Sequence, residues 1–381
     1  MRFPEFSGEW KEEQLDSIAT LSKGIGISKE QLSEDGEPCI LYGELYTKYK
    51  SEIIKQVESK TDIDSSKLKR SKANDVIIPY SGETAVDIAT ARCVPFDSIL
   101  LGGDLNVISL HKYDGAFMSY QLNGKRKYDI ARVAQGVSVV HLYGEHLKTI
   151  KTYNPTLPEQ QKIAILLSLL DERIATQNKI IEDLKKLKCA IIEKLYSKIQ
   201  GKEYSYGQLF DVVNERNKQM EYYNILSASQ EKGMVNRDDL NLDIQFERSN
   251  INTYKIVRKG DYVIHLRSFQ GGFAFSDKLG VCSPAYTILR PNSLLEYSYL
   301  SYYFTSQRFI KSLIIVTYGI RDGRSINVEE WLNMKVVIPS KEHQLHTLNV
   351  LKRIDDKVEN EEKYATCLSN QKQYLLRQMF I

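Results

Sequence analysis

Two loops in the second half of the chain carry side chains suited to reading polar edges. Arg267-Ser268-Phe269-Gln270-Gly271-Gly272 follows the run Tyr262-Val263-Ile264. It offers an arginine fork for a guanine edge, a glutamine amide for an adenine edge, and glycines that let backbone approach closely. Tyr318-Gly319-Ile320-Arg321-Asp322-Gly323-Arg324 sets two arginines and an aromatic ring on a glycine-flexed loop ahead of a predicted helix. In the first half, Ser81-Gly82-Glu83-Thr84 follows Ile77-Ile78-Pro79 with fewer donors, and Lys125-Arg126-Lys127, between Gly124 and Tyr128, is the densest basic run there for neutralising phosphates. The candidate contacts are therefore Ser81, Gly82, Thr84, Lys125, Arg126, Lys127, Arg267, Ser268, Gln270, Gly271, Tyr318, Arg321 and Arg324. Each also has a plainer reading, as a glycine turn or a solvated charge run.

Other chemistries find less support. Cys39, Cys93, Cys189, Cys282 and Cys367 form no C-x-x-C pair, and the dispersed histidines, even the near neighbours His343 and His346, lack the carboxylates or thiols that complete a metal set; no metal is expected. Asn154-Pro155-Thr156-Leu157 lacks the second proline and the stacking ring that an amino-methyltransferase uses to hold a flipped base. No G-x-x-x-x-G-K-[ST] loop is present, and Gly102-Gly103-Asp104 is too short for a cofactor fingerprint, so no cofactor is expected in this chain.

These residues need a scaffold, and 381 residues with 42% apolar and 27% charged suffice for two folded domains. The balance of 52 Lys and Arg against 49 Asp and Glu, a net +3, does not announce a nucleic-acid binder, so any basic patch must be local. No apolar run approaches the ~20 residues that cross a bilayer, and Met1-Arg2-Phe3-Pro4-Glu5 has no signal-peptide character. The expected location is the cytoplasm, away from membranes.

The chain repeats itself. Glu9-Trp10 with Gln14-Leu15 returns as Glu203-Tyr204 with Gln208-Leu209; Asn74-Asp75-Val76-Ile77-Ile78 returns as Gly260-Asp261-Tyr262-Val263-Ile264; Leu170-Asp171-Glu172-Arg173-Ile174 returns as Ile354-Asp355-Asp356-Lys357-Val358. The offsets are 194, 186 and 184 residues. The closest match is a heptad seam near the end of each half: Leu167, Leu170, Ile174, Gln177, Ile181, Leu184, Lys188, Ile191, Leu195, and then Leu351, Ile354, Val358, Glu361, Ala365, Leu368, Lys372, Leu375, Met379. The two polar interruptions fall at the same places. Thr156-Leu157-Pro158-Glu159 predicts a capping box for the first helix and Ser340 a cap for the second. Each helix spans some forty residues, roughly 60 Å at 1.5 Å per residue, too long to serve one core. Short β-branched and aromatic runs punctuated by Gly, Asn and Pro fill the rest.

The expected fold is α+β: two similar mixed α/β globules separated by two long helices that form an antiparallel intramolecular coiled coil, with a pseudo-two-fold internal repeat. The expected boundaries are 1–155 for the first globule, 156–200 for the first helix, 201–339 for the second globule and 340–381 for the second helix. Two similar readers on a spacer would match two sites on one side of a duplex.

Several stretches together resemble the specificity subunits of type I restriction-modification enzymes: Arg2-Phe3-Pro4-Glu5-Phe6 through Glu9-Trp10, Leu157-Pro158-Glu159-Gln160-Gln161-Lys162-Ile163-Ala164, Gly260-Asp261, Phe269-Gln270-Gly271-Gly272-Phe273 and Ser283-Pro284-Ala285-Tyr286. The likeness spans essentially the whole chain, with Asn74 standing where the second copy has Gly260 and Lys341-Glu342-His343-Gln344 replacing the Pro-Glu-Gln-Gln opening. The resemblance implies a non-catalytic subunit whose globules are target-recognition domains, each binding half of a split sequence in double-stranded DNA. It also implies two methyltransferase subunits docked near the helices and carrying S-adenosylmethionine, and translocating restriction subunits in the full complex. The competing readings are a coiled-coil scaffold without DNA specificity and, with less support, a DNA-modifying enzyme.

Overall fold

The computed structural model describes residues 2–229, 232–239, 248–265, 272–318 and 325–380. The chain divides into two units, Met1–Lys179 with Glu362–Ile381, and Ile180–Glu361. Arg267, Ser268, Gln270, Gly271, Arg321 and Arg324 lie outside the described residues, as does the side chain of Tyr318.

The first unit is built on a four-stranded antiparallel sheet in the order Ala19–Lys23, Leu105–Leu110, Asp75–Pro79, Arg92–Val94. Every residue of Asp75–Pro79 is buried, which explains why this strand reads as a continuous apolar run rather than an alternating one. A second sheet of five short strands begins at Leu32–Ser33 and ends at Lys69–Arg70. Strand Lys11–Gln14 pairs antiparallel with Lys151–Asn154, the strand that leads into the first long helix. Helix Gly115–Asn123 starts where Asp114 accepts a hydrogen bond from the Phe117 amide, and it buries Phe117, Met118, Tyr120 and Leu122.

The second unit repeats the plan. Phe210–Val213, Thr287–Pro291, Tyr262–Ile264 and Phe273–Phe275 form a four-stranded antiparallel sheet in the same relative order, and Lys202–Ser205 pairs with Lys335–Ile338 before the second long helix. Its core is aromatic: Trp331 is fully buried and stacks on Tyr206 at 4.2 Å, with Phe210, Phe273, Phe304 and Phe309 around them.

The correspondence extends to single hydrogen bonds. The Asp75 carboxylate accepts from the Lys72 amide at 2.9 Å, and Asp261 accepts from the Arg258 amide at 2.8 Å. Asn74 has φ 80° and Gly260 φ 98°, so the exchange between the copies keeps a left-handed turn that asparagine tolerates better than other side chains. Gln160 accepts from the Asp114 amide and donates to the Pro155 carbonyl; Gln344 likewise accepts from the Glu296 amide and donates to Pro339.

The long helices are Leu157–Ser197 and Lys341–Gln378. Ser340 caps the second, its hydroxyl accepting from the His343 amide. At the first, Glu159 does not close a capping box on Thr156: it is fully buried and grips Arg2 through two bonds of 2.7 Å. Sequence spacing could not reveal this, because the partner lies 157 residues away.

Within each unit the two helices run in opposite directions. In the first, Asp171 meets Lys372 while Arg173 meets Tyr364. In the second, Lys188 meets Asp355 while Ile192 and Tyr196 share a core with Leu351. Leu167, Leu170, Ile174, Gln177, Ile181, Leu184, Lys188, Ile191 and Leu195 are all buried or half-buried, as are Leu351, Ile354, Val358, Glu361, Ala365, Leu368, Lys372, Leu375 and Met379. The pattern is that of an antiparallel seam with its polar breaks enclosed.

Candidate nucleic-acid interface

The first-half candidates occupy two neighbouring elements. Ser81–Gly82 is a short strand pairing antiparallel with Val140–His141, both residues half-buried. A side chain at Gly82 would meet the Tyr46 hydroxyl at 3.1 Å, so close approach here is to the protein's own ring. Thr84 is exposed, yet its hydroxyl is engaged locally, accepting from the Asp87 amide at 3.1 Å and donating to the Asp87 carboxylate at 2.6 Å, as an N-cap for Ala85–Ile88. That short helix packs through Ile88 on Ile130 of helix Lys127–Val133.

The basic run divides. Lys125 is exposed and Lys127 half-buried. Arg126 turns inward, 16% exposed, 3.3 Å from Asp129 and with its guanidinium 5.1 Å from the centre of the Tyr153 ring. Asp129 also binds Arg132 at 3.2 Å. The central cation is thus already balanced, and the run offers a phosphate less charge than its sequence suggests.

In the second unit the stems of both loops are described. Tyr262–Ile264 pairs with Phe273–Phe275, and the His265 amide donates to the Gly272 carbonyl at 2.6 Å. Thr317–Tyr318 pairs with Ser325–Ile326 ahead of helix Val328–Asn333, which Asn327 caps.

The structure also joins residues that motif reading passed over. In the first unit Lys372 Nζ lies 2.5 Å from Glu52 and 2.6 Å from Asp171, and the Tyr120 hydroxyl donates to Asp171 at 2.7 Å. Burial pushes the Glu52 carboxyl up despite Lys372, pushes the Tyr120 phenol up, and pulls the neighbouring Arg92 guanidinium down. In the second unit Lys188 binds Asp355, and the Tyr302 hydroxyl donates to Asp355 at 2.6 Å. The signal for both sets was the matched lysine in each seam. No signal announced Glu52, which comes from an irregular segment.

Burial pushes the thiols of Cys39, Cys93 and Cys282 up to about 11, 12 and 12, which keeps them protonated and poorly nucleophilic. Among the described residues, no group of three or more His, Cys, Asp or Glu could hold a metal ion, and no helix is long and apolar enough to cross a membrane.

Residues 7–186 match the family described as type I restriction modification DNA specificity domain. Residues 7–186 thus carry a type I restriction modification DNA specificity domain, and the chain is similar to the specificity subunits of type I restriction enzymes. The type I specificity subunit MjaVIII of Methanocaldococcus jannaschii is 25% identical over 324 residues, covering 76% of this chain and 74% of that protein. The crystal structure of a type I restriction-modification S subunit from M. genitalium superposes with a TM-score of 0.58 at 17% identity, over 100% of this chain and 99% of that one. A structure described as the basis of complex assembly and conformational transition of the type I R-M system gives a TM-score of 0.63 at 14% identity, over 98% and 97% of the two chains. At these identities the solved structures speak to the fold. Their match over nearly the full chain agrees with a specificity-subunit fold that includes both copies of the repeat.

Proposed function

We propose that this chain is the DNA sequence-recognition subunit of a type I restriction-modification complex and carries out no chemistry itself. Residues 1–155 and 201–339 each read one half of a bipartite target, and the helices at 156–200 and 340–381 set the number of base pairs between the halves. Two methyltransferase subunits, which would bring the S-adenosylmethionine, dock near the helices, and translocating restriction subunits join for cleavage. A DNA target places the work in the cytoplasm.

The observation that supports this reading best is the duplicated plan: equivalent four-stranded sheets and equivalent strand ribbons, each leading into one of two antiparallel helices. A pure scaffold would require the helices alone and would leave two elaborated sheets without a task. The test is a duplex-binding titration of the chain assembled with its methyltransferase partner, at rising salt, after the modified adenines of the host genome have been mapped. Retention that depends on both halves of the mapped sequence supports the proposal. Binding indifferent to sequence supports a scaffold, and methyl transfer by the isolated chain supports an enzyme.

A further inference from the structure

The candidate loops leave out the side chains that line the matching end of each four-stranded sheet. In the first unit, Lys23 closes strand Ala19–Lys23 and faces Asn106 across the sheet, while Tyr80 follows strand Asp75–Pro79. Lys23 Nζ sits 3.6 Å from the centre of the Tyr80 ring. Tyr80 meets Tyr143 edge-on at 5.5 Å and lies 5.8 Å from His141. Lys23 is exposed and Tyr143 is 39% exposed, so this ring cluster is a surface and not a core. Glu145, the nearest acid after Tyr143 along the chain, is held by Lys148 at 2.9 Å.

The same end of the second sheet is built from the same kinds of group. His265 follows strand Tyr262–Ile264 and Tyr286 precedes strand Thr287–Pro291, their rings edge-on at 5.0 Å. Lys255 Nζ donates to the Tyr286 carbonyl at 2.7 Å. Arg216, exposed, bridges Lys255 through the backbone, and its neighbour Glu215 is occupied by Arg258 and Arg290. The residues differ between the copies, but a tyrosine–imidazole pair recurs at this sheet end, with Lys23 over a ring in the first unit and Lys255 on the Tyr286 carbonyl in the second.

We propose that this sheet end is the DNA-contacting platform of each unit, with Lys23 and Arg216 meeting phosphates and the Tyr80–His141–Tyr143 and His265–Tyr286 rings meeting base and sugar edges. The proposal rests on the reading of the chain as a DNA-recognition subunit. A cation held over an aromatic ring, as Lys23 is over Tyr80, suits this work, because the ring fixes the charge without neutralising it. Two diverged ring sets on one cationic frame also suit two readers that must hold the backbone alike and read different words.

The test uses the full chain assembled with its methyltransferase partner and a duplex bearing the mapped target. Lys23→Ala and Arg216→Ala should each weaken binding about three- to tenfold, uniformly across sequences, and lower the log–log salt slope by about one. Lys60→Ala, an equal charge loss on a short strand elsewhere in the first unit, should do neither. Tyr143→Ala should relax discrimination at one half of the target and leave the other half as strict as before. If the wild-type assembly distinguishes the target from a scrambled duplex but Lys23→Ala and Tyr143→Ala bind as it does, or no differently from Lys60→Ala, the platform is refuted and the recognition function stands. If the wild-type assembly makes no such distinction, both fall together.

Discussion

Lys372→Met should destabilise the first unit by about 3–5 kcal/mol, the cost of leaving buried charge without its counter-ion. The side chains of Lys372, Glu52 and Asp171 are 11%, 9% and 7% exposed, and one ammonium serves both carboxylates. Methionine fills most of the space but supplies no charge, leaving Arg92 and the Tyr120 and Ser51 hydroxyls beside the two carboxylates. The duplication provides the control. Lys188 and Asp355 are 28% and 37% exposed, so water can take over when Lys188 becomes methionine, and the second unit should lose about 0.5–1 kcal/mol. The chain has two tryptophans, Trp10 in the first unit and Trp331 in the second, which makes the two losses separable by fluorescence. In a Trp331→Phe background, urea unfolding followed at Trp10 should shift its midpoint by roughly 1–2 M for Lys372→Met. Adding Glu52→Gln and Asp171→Asn should restore most of the loss, because neutral groups no longer need a cation. A loss under 1 kcal/mol for Lys372→Met, or equal losses from the two lysines, would show that the buried cluster is not an ionic lock.

Glu37 is held down to about 2 by the Arg70 guanidinium and the Ser65 hydroxyl. A depressed carboxyl adds stability that is fully present above its ordinary value and lost as pH falls through its folded value, so wild type should weaken between about pH 4.5 and 2 more than Glu37→Gln does in acid-unfolding curves. Asn74→Ala should cost about 2 kcal/mol, from a left-handed backbone at φ 80° and two lost bonds, to Gly115 at 2.5 Å and Tyr113 at 2.8 Å; Asn74→Gly should cost less in the same melt because it keeps the turn. Arg2→Ala should lower the thermal midpoint by stranding the buried Glu159 carboxylate, and Arg2→Ala with Glu159→Gln should recover part of the loss in the same melt.

What was legible in the sequence was whatever repeats locally. The seam declared itself because helical periodicity is a short-range pattern, and Asp75 and Asp261 could be aligned because each closes a turn with a residue three positions earlier. The strands at Val76, Tyr262 and Val336 followed from β-branched runs beside turn residues. What required the structure was contact between distant segments. Glu159 reads as a cap by spacing and serves as the partner of Arg2. Arg126 looks like free charge until Asp129 and Tyr153 are placed beside it. Lys23, Tyr80 and His141 come from three segments, none of them a motif, and only strand pairing gathers them. The five-stranded sheet was invisible for another reason: strands such as Lys60–Thr61 are two residues long and leave no period to detect.

The unequal burial of the two helix lysines bears on how the chain tolerates rebuilding. Any foreign module grafted in place of the first globule must fill the place of Glu52 beside the buried Lys372 ammonium, which would otherwise rest on Asp171 of the helix alone. A module grafted onto the second unit faces a lenient joint, where the Lys188–Asp355 pair belongs to the helices themselves and solvent can stand in for the Tyr302 hydroxyl. One half of the molecule is keyed to its occupant, and the other accepts substitutes.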